Sequence, residues 1–253
     1  MALPLLKNGM FNRLQEDILA LQGFSTLPGA KKIDLGLGIM NASFPSHSFP
    51  IGAVHEFISM GPENAAATTG FMAGLLGKLM GEYGICLWVG IKPIVFPTAL
   101  KIFGVEPHRI IFIDLNKEKD VIWAVEEALK CESLAAVVGE LREITFTESR
   151  RLQLAVEQSR VTGFLHRNNP RAVNPLACVS RWQVTPMASR IEPGMPGVGR
   201  PCWHVELQKI RNGEPGEWDM EWVSGRFQHL KKDIQEHPQK AAEVAPFYIS
   251  QRA

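Results

Sequence analysis

Cysteine is scarce in this 253-residue sequence, and its four cysteines lie far apart, at Cys86, Cys131, Cys178 and Cys202. None forms a C-x-x-C pair, and a chain of this length has enough core to fold without disulfides. The tripeptide Cys202-Trp203-His204 has no second ligand pair nearby, so ordinary strand residues explain it better than a zinc site. The cysteines therefore favour neither a disulfide framework nor a metal centre.

Long apolar runs and an excess of charge are also absent. The stretch from Ala2 to Leu6 is too short for the apolar core of a signal peptide. No uninterrupted apolar run reaches the roughly 18–20 residues of a membrane span. We therefore predict a soluble, cytoplasmic protein with no membrane contact. The 27 basic and 26 acidic side chains give a net charge of +1, which excludes an overall basic field that attracts nucleic acid.

Short apolar runs alternate with helical patterns through the middle of the chain. The predicted strands cover 53–58, 85–89, 110–114, 134–138 and 161–165, and the predicted helices cover 65–80, 97–103, 120–130 and 148–159. This alternation is typical of an α/β fold with a mainly parallel, twisted sheet flanked by helices. Later segments alternate like antiparallel strands, with Asn212-Gly213 as a hairpin turn; they cover 177–184, 203–210 and 218–222. We predict an α/β fold with antiparallel strands added on the C-terminal side.

Both ends of the chain differ from this central pattern. Phe11, Leu14, Ile18 and Leu21 recur at steps of three and four, which predicts an amphipathic helix. This helix could pack on its own domain or dock on a partner. The polar C-terminal tail fits either disorder or a segment packed on the body. We divide the chain into a helix and linker (1–30), a core (31–226) and a tail (227–253).

One segment between a predicted strand and a predicted helix carries a motif, Gly61-Pro62-Glu63-Asn64-Ala65-Ala66-Ala67-Thr68-Thr69. In this context a phosphate-binding loop reads G-x-x-x-x-G-K-[ST], and its lysine reaches the β- and γ-phosphates. Gly61 and Thr68 stand at the right spacing, but Ala66 replaces the second glycine and Ala67 replaces the lysine. An alanine cannot neutralise a phosphate, and its Cβ disfavours positive φ. The sequence predicts a degenerate nucleotide loop formed by Gly61, Ala66, Ala67, Thr68 and Thr69.

This segment resembles the loop G-P-E-S-S-G-K-T-T of the RecA recombinase family with the lysine removed. Further resemblances at 49–56, 97–105, 177–184 and 202–221 extend the likeness over roughly residues 33–225. Within that superfamily, the damaged loop and the N-terminal helix resemble the ImuA family, RecA-like accessory proteins of bacterial SOS mutagenesis. The resemblance implies a RecA-like core that acts beside ImuB, a Y-family polymerase relative, and an error-prone DnaE-type polymerase. RecA itself is a further candidate partner.

The resemblance also assigns the remaining positions of an ATPase. The carboxylate that orients the attacking water falls at Lys92, which is no general base at neutral pH. The metal-binding aspartate falls at Gly139, and Glu140, one residue on, points to the opposite face of a regular strand. The adenine-stacking ring falls at Ala99. We therefore predict no catalytic residue, no metal and no ATP cofactor. Rescue by Glu140, Lys78 or Lys92, and nucleotide binding without turnover, are the alternatives.

Arginine is concentrated in one part of the chain. Residues 142–200 contain nine arginines, no lysine and four glutamates, so the local charge is 9 − 4 = +5. In the family that the sequence resembles, this region holds the DNA-binding loops, whose counterparts here are 142–147 and 166–175. Arginine forks suit phosphates and carboxylates alike, while a solvated face with local ion pairs explains them without a partner. The candidates for contact with DNA or a partner are Arg142, Arg167, Asn168, Asn169 and Arg171.

These observations together predict a non-catalytic accessory protein of DNA repair. It would scaffold ImuB and a DnaE-type polymerase during translesion synthesis induced by DNA damage. An active RecA-type, DNA-dependent ATPase with unorthodox ligands is the first alternative. A regulator of RecA filaments, which needs a RecA-like surface but no ATP, is the second.

Overall fold

A computed structural model of the protein describes residues 33–93, 95–191 and 199–230. They form one nine-stranded sheet. Its strands are β1 (Val54–Ser59), β2 (Cys86–Gly90), β3 (Ile110–Asp114), β4 (Ala136–Leu141), β5 (Thr162–Asn168), β6 (Ser180–Arg190), β7 (Arg200–Ile210), β8 (Gly216–Val223) and β9 (Arg226–His229). Their order in the sheet is β3-β2-β4-β5-β1-β6-β7-β8-β9. The pairs from β3 to β6 are parallel and the pairs from β6 to β9 are antiparallel.

Helices cover both faces of the parallel part of the sheet. The α-helices are α1 (Pro62–Met80), α2 (Glu118–Leu129) and α3 (Phe146–Ser159), and 3-10 helices cover Gly38–Ser43, Pro45–His47, Pro97–Phe103 and Pro107–Arg109. One apolar core lies between the sheet and α1, and a second lies between the sheet and the pair α2 and α3. The structure confirms the predicted α/β class, with antiparallel strands at the C-terminal side.

Strand β4 shows how the sequence builds these two cores. Ala136 and Val138 belong to the core beneath α1, whereas Val137 and Leu141 belong to the core beneath α2 and α3. Successive side chains of a strand point to opposite faces. A strand with helices on both faces is apolar at consecutive positions, which explains why continuous apolar runs located these strands.

The core beneath α1 is rich in aromatic rings. Phe57 of β1 and Trp182 of β6 stack with their ring centroids 6.1 Å apart and 12° between their planes. Phe71 of α1 lies 4.8 Å from Phe227 of β9, which is itself buried. These contacts join the parallel and antiparallel parts of the sheet to one helix.

Helix α1 approaches the 3-10 helix Pro97–Phe103 closely because α1 carries a glycine at the crossing. A Cβ atom added to Gly77 would lie 2.1 Å from the carbonyl oxygen of Phe103, a separation that no side chain tolerates without backbone movement. Glycine is the only residue that fits here, although it lowers helix propensity by about 1 kcal/mol relative to alanine. This close approach holds the 3-10 helix Pro97–Phe103 directly against α1.

Three boundaries differ from those that the sequence predicts. β5 continues to Asn168, so the polar residues 166–168 belong to the strand rather than to the following loop. Strand β6 continues to Arg190. Strand β9, which the sequence analysis missed, pairs with β8 and buries Phe227, so the core extends beyond residue 226, the predicted boundary.

The predicted N-terminal helix with Phe11, Leu14, Ile18 and Leu21 lies outside the described residues, as does the tail after residue 230. The division of the chain at residue 30 therefore stays a prediction. Within the part of the chain that the structure describes, no helix combines the length and apolarity needed to cross a bilayer.

Candidate functional site

A cleft of about 460 Å³ lies beside the first turns of α1, near the C-terminal ends of β4 and β5. In open α/β sheets, the C-terminal ends of the strands are where ligands bind. Its walls are mostly apolar, and the described residues that line it include no lysine or arginine. They are Pro62, Ala65, Ala66, Thr69, Gly70, Val95, Phe96, Ala99, Leu100, Phe103, Glu140, His166, Asn168, Pro201 and Trp203.

The segment predicted as a degenerate nucleotide loop is helical. α1 begins at Pro62, directly after Gly61, whose φ is +96°. The backbone N–H of Ala65 donates to the carbonyl oxygen of Gly61 at 3.1 Å, which is a regular helical bond. The predicted start of this helix at Ala65 is wrong, because proline at the first helical position and an acidic first turn favour a start at Pro62.

Few backbone donors remain at this helix end. The four N–H groups at a helix start have no partner within the helix. Here the N–H of Gly61 donates to Asn169 Oδ1 at 2.7 Å, and Pro62 has no N–H. The N–H groups of Glu63 and Asn64 are therefore the two that remain for any ligand at this end.

Thr68, at the position that binds Mg²⁺ in a phosphate-binding loop, is fully buried. Its Oγ1 accepts a hydrogen bond from Ser59 Oγ at 2.8 Å. The same Ser59 Oγ lies 2.8 Å from Nε2 of His166. Ala67 is buried as well, whereas Ala66 and Thr69 line the cleft. The hydroxyl of Thr68 thus belongs to a buried network that joins β1, α1 and β5.

Glu140, and not position 139, faces the cleft. A Cβ added to Gly139 would lie 2.8 Å from Val125 of α2, on the far side of the sheet. Glu140 lines the cleft, and its Oε1 accepts a hydrogen bond from Trp88 Nε1 at 2.8 Å. Burial raises the pKa of its carboxyl group, although the bond from Trp88 acts in the opposite direction. Gly139 and Glu140 point to opposite faces of the sheet, as predicted. The cleft, however, lies on the face of Glu140 and not on that of Gly139.

Lys78 lies too far away to replace the missing lysine. It is in the last turn of α1, 16 residues after Pro62, or roughly 24 Å along the helix axis at 1.5 Å per residue. Lys92 is exposed beyond the end of β2, where its backbone N–H donates to Asp114 Oδ1 at 2.7 Å. Rescue by Lys78 is therefore excluded by distance.

The aromatic lining of the cleft comes from positions that the sequence analysis did not select. Ala99 lines the cleft, as does Phe96, which is 68% exposed. Phe103 and Trp203 line it as well, with their ring centroids 6.1 Å apart. The resemblance predicts an aromatic ring only at position 99, where this chain has alanine. The pattern of 97–103 predicted a helix there, and this segment contributes Phe103 to the cleft.

Arg167 is a structural residue and not a surface contact. It is fully buried, and its Nη1 donates to Glu56 Oε1 at 2.8 Å. Its other nitrogens donate to the carbonyl oxygens of Arg142 and Ala172 at 3.3 and 3.1 Å. Its assignment to a DNA- or partner-binding loop is corrected, because a buried guanidinium with these partners does not reach a ligand on the surface.

The other four candidates occupy two different places. Arg142, Asn169 and Arg171 are exposed, and Arg142 Nε donates to the carbonyl oxygen of Asn169 at 2.8 Å. Asn168 lines the cleft instead. The structure thus brings Arg142 and Asn169 together beside the cleft, and contact of these residues with DNA or a partner stays a prediction.

Ion pairs account for much of the arginine-rich region. Glu56, which is 1% exposed, accepts from Arg167 at 2.8 Å and from Arg181 Nε at 2.7 Å. Further arginines of the region also lie beside carboxylates: Arg151 with Glu126, and Arg190 and Arg200 with Glu221. The local excess of positive charge is therefore partly neutralised within the fold.

The described residues offer no cluster of three or more His, Cys, Asp or Glu side chains suited to a metal ion. Cys202 is 4% exposed, and His204 Nδ1 lies 2.7 Å from Asp219 Oδ1. Burial raises the pKa of the Cys202 thiol, which disfavours the thiolate that a metal requires.

The polar floor of the cleft could have been found from the sequence. His166 and Asn168 of the floor, and the buried Ser59 that contacts His166, all stand at or shortly after the C-terminal ends of predicted buried strands. Polar residues that follow a buried strand are frequent ligand contacts in parallel sheets. The pairing of β1 with β5, which places Ser59 beside Asn168, is a property of the topology.

The fold and this cleft define an α/β protein with a mostly apolar cleft at the C-terminal edge of its parallel strands. No family model matches the chain. Protein ImuA of Caulobacter vibrioides strain NA1000 / CB15N is 31% identical over 228 residues, which cover 84% of this chain and 93% of that protein. Protein ImuA of strain ATCC 19089 / CIP 103742 / CB 15 matches equally. The chain belongs to the ImuA family.

Proposed function

We propose that this protein is a non-hydrolysing, RecA-like accessory factor of SOS mutagenesis. Family membership supports the general role in damage-induced mutagenesis. The strand order β3-β2-β4-β5-β1-β6, with a glycine-initiated helix directly after β1, supports the RecA-like assignment. In this proposal it scaffolds an ImuB-like polymerase relative and an error-prone DnaE-type polymerase.

The start of α1 at Pro62 is the observation that carries the non-hydrolysing part of the proposal. A phosphate-binding loop wraps several N–H groups around a phosphate before its helix begins. Here regular helical bonding has reached Ala65, and the acidic side chain of Glu140 lies in the cleft. A triphosphate would find two free N–H groups, a neighbouring carboxylate and no cationic lining residue, so the described residues do not fit Mg²⁺-ATP.

A nucleotide titration tests this part. We expect a fluorescent ATP analogue with Mg²⁺ to show no saturable binding up to about 1 mM, which corresponds to a binding free energy weaker than about −4 kcal/mol. The double variant Ala66→Gly/Ala67→Lys should not restore binding, because it leaves the helical turn at Pro62 and the carboxylate of Glu140 in place. Micromolar binding with release of phosphate would instead support an active ATPase.

The N-terminal stripe of Phe11, Leu14, Ile18 and Leu21 is the part that we assign to a partner. Deleting residues 1–24 should leave the thermal unfolding of the core unchanged and abolish capture of an ImuB-like protein, a DnaE-type polymerase or RecA. In the full chain, Leu14→Asp should weaken capture. Gln15→Asp, which adds the same charge beside the stripe, should not. Undiminished capture of all three proteins by the deletion variant would contradict the assignment.

A further inference from the structure

Two buried polar atoms at the floor of the cleft have no hydrogen-bond partner among the described residues. They are Nδ1 of His166 and Oδ1 of Asn168, and both residues line the cleft. His166 is 1% exposed. The great majority of buried polar atoms in native proteins have a partner, and one without a partner calls for an explanation such as an absent ligand. Here two such residues alternate along one strand toward the same cleft.

The hydrogen bonds around His166 determine what its free nitrogen can accept. Ser59 Oγ donates to Thr68, which leaves the oxygen of Ser59 to accept from Nε2–H of His166. Burial lowers the pKa of His166 to about 4, so the ring is neutral near pH 7. In a neutral imidazole with its proton on Nε2, Nδ1 is an acceptor. The cleft therefore presents two acceptors, His166 Nδ1 and Asn168 Oδ1.

Glu140 adds a third acceptor; burial raises the pKa of its carboxyl group, and a cation placed beside it would favour the ionised form. Its Oε1 accepts a hydrogen bond from Trp88 Nε1. Its Oε2 accepts no hydrogen bond from the described residues. No lysine or arginine is among the described lining residues. Arg200, next to the lining residue Pro201, is paired with Glu221 at 3.5 Å. The floor thus fits a cationic, donor-rich group and repels an anion.

The walls select the shape of that group. Phe96, Phe103 and Trp203 surround the polar floor with aromatic surface. A guanidinium has five donors in a planar fork, binds carboxylates and stacks on aromatic rings. An ammonium is a strongly hydrated point charge that satisfies three separated acceptors less well. The methylene stem of an arginine is apolar and can lie along such walls.

We propose that the cleft receives an arginine side chain of a partner protein, whose guanidinium donates to Glu140, His166 and Asn168. This inference rests on the proposed absence of a bound nucleotide, which would fill the same space. The lining residues Phe96, which is 68% exposed, and Pro201 can accept apolar neighbours of the arginine. A peptide segment, rather than a free amino acid, is therefore the occupant that the cleft fits.

Blocked amino acids test the chemistry directly. The full chain is titrated with N-acetyl-arginine methylamide, followed by NMR of the Trp88 indole N–H and the His166 ring nitrogens. We expect saturable shifts of both signals, and binding weaker by about tenfold or more for the citrulline analogue, which has the same shape without the charge. The tripeptide acetyl-Leu-Arg-Leu-amide should bind more tightly than the blocked arginine.

Two variants locate the binding. Glu140→Gln should weaken binding of the arginine compound by about tenfold or more, while Glu82→Gln, an exposed carboxylate beyond the far end of α1, should leave it unchanged. Ala66→Leu should block the cleft without touching the polar floor. Because Ala66 is exposed on the helix, this variant tests the site even where Glu140→Gln lowers stability.

Each remaining outcome would contradict the proposal, and each points to a different explanation. Equal binding of arginine and citrulline compounds would show that charge is not recognised. Free L-arginine binding as tightly as the tripeptide would indicate a metabolite site. Shifts induced by Mg²⁺-ATP would refute the proposed function as well, whereas silence of every probe would refute only the arginine site and leave that function standing.

Discussion

Replacing Glu56 by alanine should destabilise the protein by about 3–5 kcal/mol, the range seen when one member of a buried ion pair is removed. The carboxylate of Glu56 is 1% exposed and holds Arg167 at 2.8 Å and Arg181 at 2.7 Å. Without it, two guanidinium groups in a poorly solvated place lose their counter-charge. Arg167 cannot escape to water, because it is fully buried. Urea unfolding, with the slope of free energy against urea compared between variants, measures the loss.

Glu143→Ala is the matched control for this experiment. Glu143 also lies beside Arg167, but at 3.5 Å and with 39% of its side chain exposed. Screening by solvent limits such a pair to about 1 kcal/mol or less. If Glu56→Ala unfolds the protein outright, Glu56→Gln, which keeps the acceptor oxygen but removes the charge, supplies an intermediate value. Equal losses of unfolding free energy for Glu56→Ala and Glu143→Ala would mean that the buried ion pairs of Glu56 stabilise the protein no more than a partly exposed pair does.

The sheet was predictable because its strands have a characteristic pattern of apolar residues in the sequence. Strands covered by helices on both faces, such as β3 and β4, are apolar at consecutive positions. The predicted bounds of β3 agree with the structure. The place of the turn between β7 and β8 was also predictable from Asn212-Gly213, although the connection has five residues and only Asn212 of this pair has a positive φ, 57°. Local chemistry was sufficient for these elements.

The start of α1 was misplaced because the small apolar residues from Ala65 onward predict a helix that begins there, and Gly61-Pro62 predicts a break. Pro62 and Glu63 are, however, typical first-turn residues of a helix, and the helix begins at Pro62. Similarly, Ser224-Gly225 lies between alternating residues and indicates a turn into β9. Both features were present in the sequence, and a purely local interpretation would have found them.

Other parts of the site depend on contacts between distant segments. Arg167 looked like a surface residue because arginine is rarely buried without a partner, and its partner Glu56 is 111 residues away in the sequence. Alternation placed Gly139 and Glu140 on opposite faces, but only the packing of α1 and α2 decides which face holds the cleft. Such assignments require the topology.

Lowering the pH from 7 to 5 should remove about 4 kcal/mol of stability through two buried histidines. Burial lowers the pKa of His55 to about 3 and that of His166 to about 4, against roughly 6.5 in the unfolded chain. The folded pKa values lie below the unfolded ones, so the unfolded state binds more protons throughout the window between them. The contribution is complete above about pH 6.5 and falls as the pH drops towards 4.

Burial keeps the ring of His55 neutral, while its hydrogen bond to the carbonyl oxygen of Pro50 acts in the opposite direction on the pKa. Its Nε2–H donates to the carbonyl oxygen of Pro50 at 2.7 Å, and its Nδ1 lies 2.6 Å from Ser180 Oγ. A second proton would place N–H against a hydroxyl that already accepts from Trp182 Nε1 at 2.7 Å. The ring of His55 is therefore neutral in the folded protein near pH 7.

Comparison of variants isolates the two histidines from other titrating groups. The raised pKa of Glu140, caused chiefly by burial, acts in the opposite direction, because the folded state then binds the extra proton. Urea unfolding at several pH values should give His55→Gln and His166→Gln about half of the wild-type loss each, relative to their own stability at pH 7. His108→Gln, an exposed imidazole, should keep the full dependence. An unchanged dependence in both buried variants would mean that these rings are protonated, or exposed to water, in the folded protein.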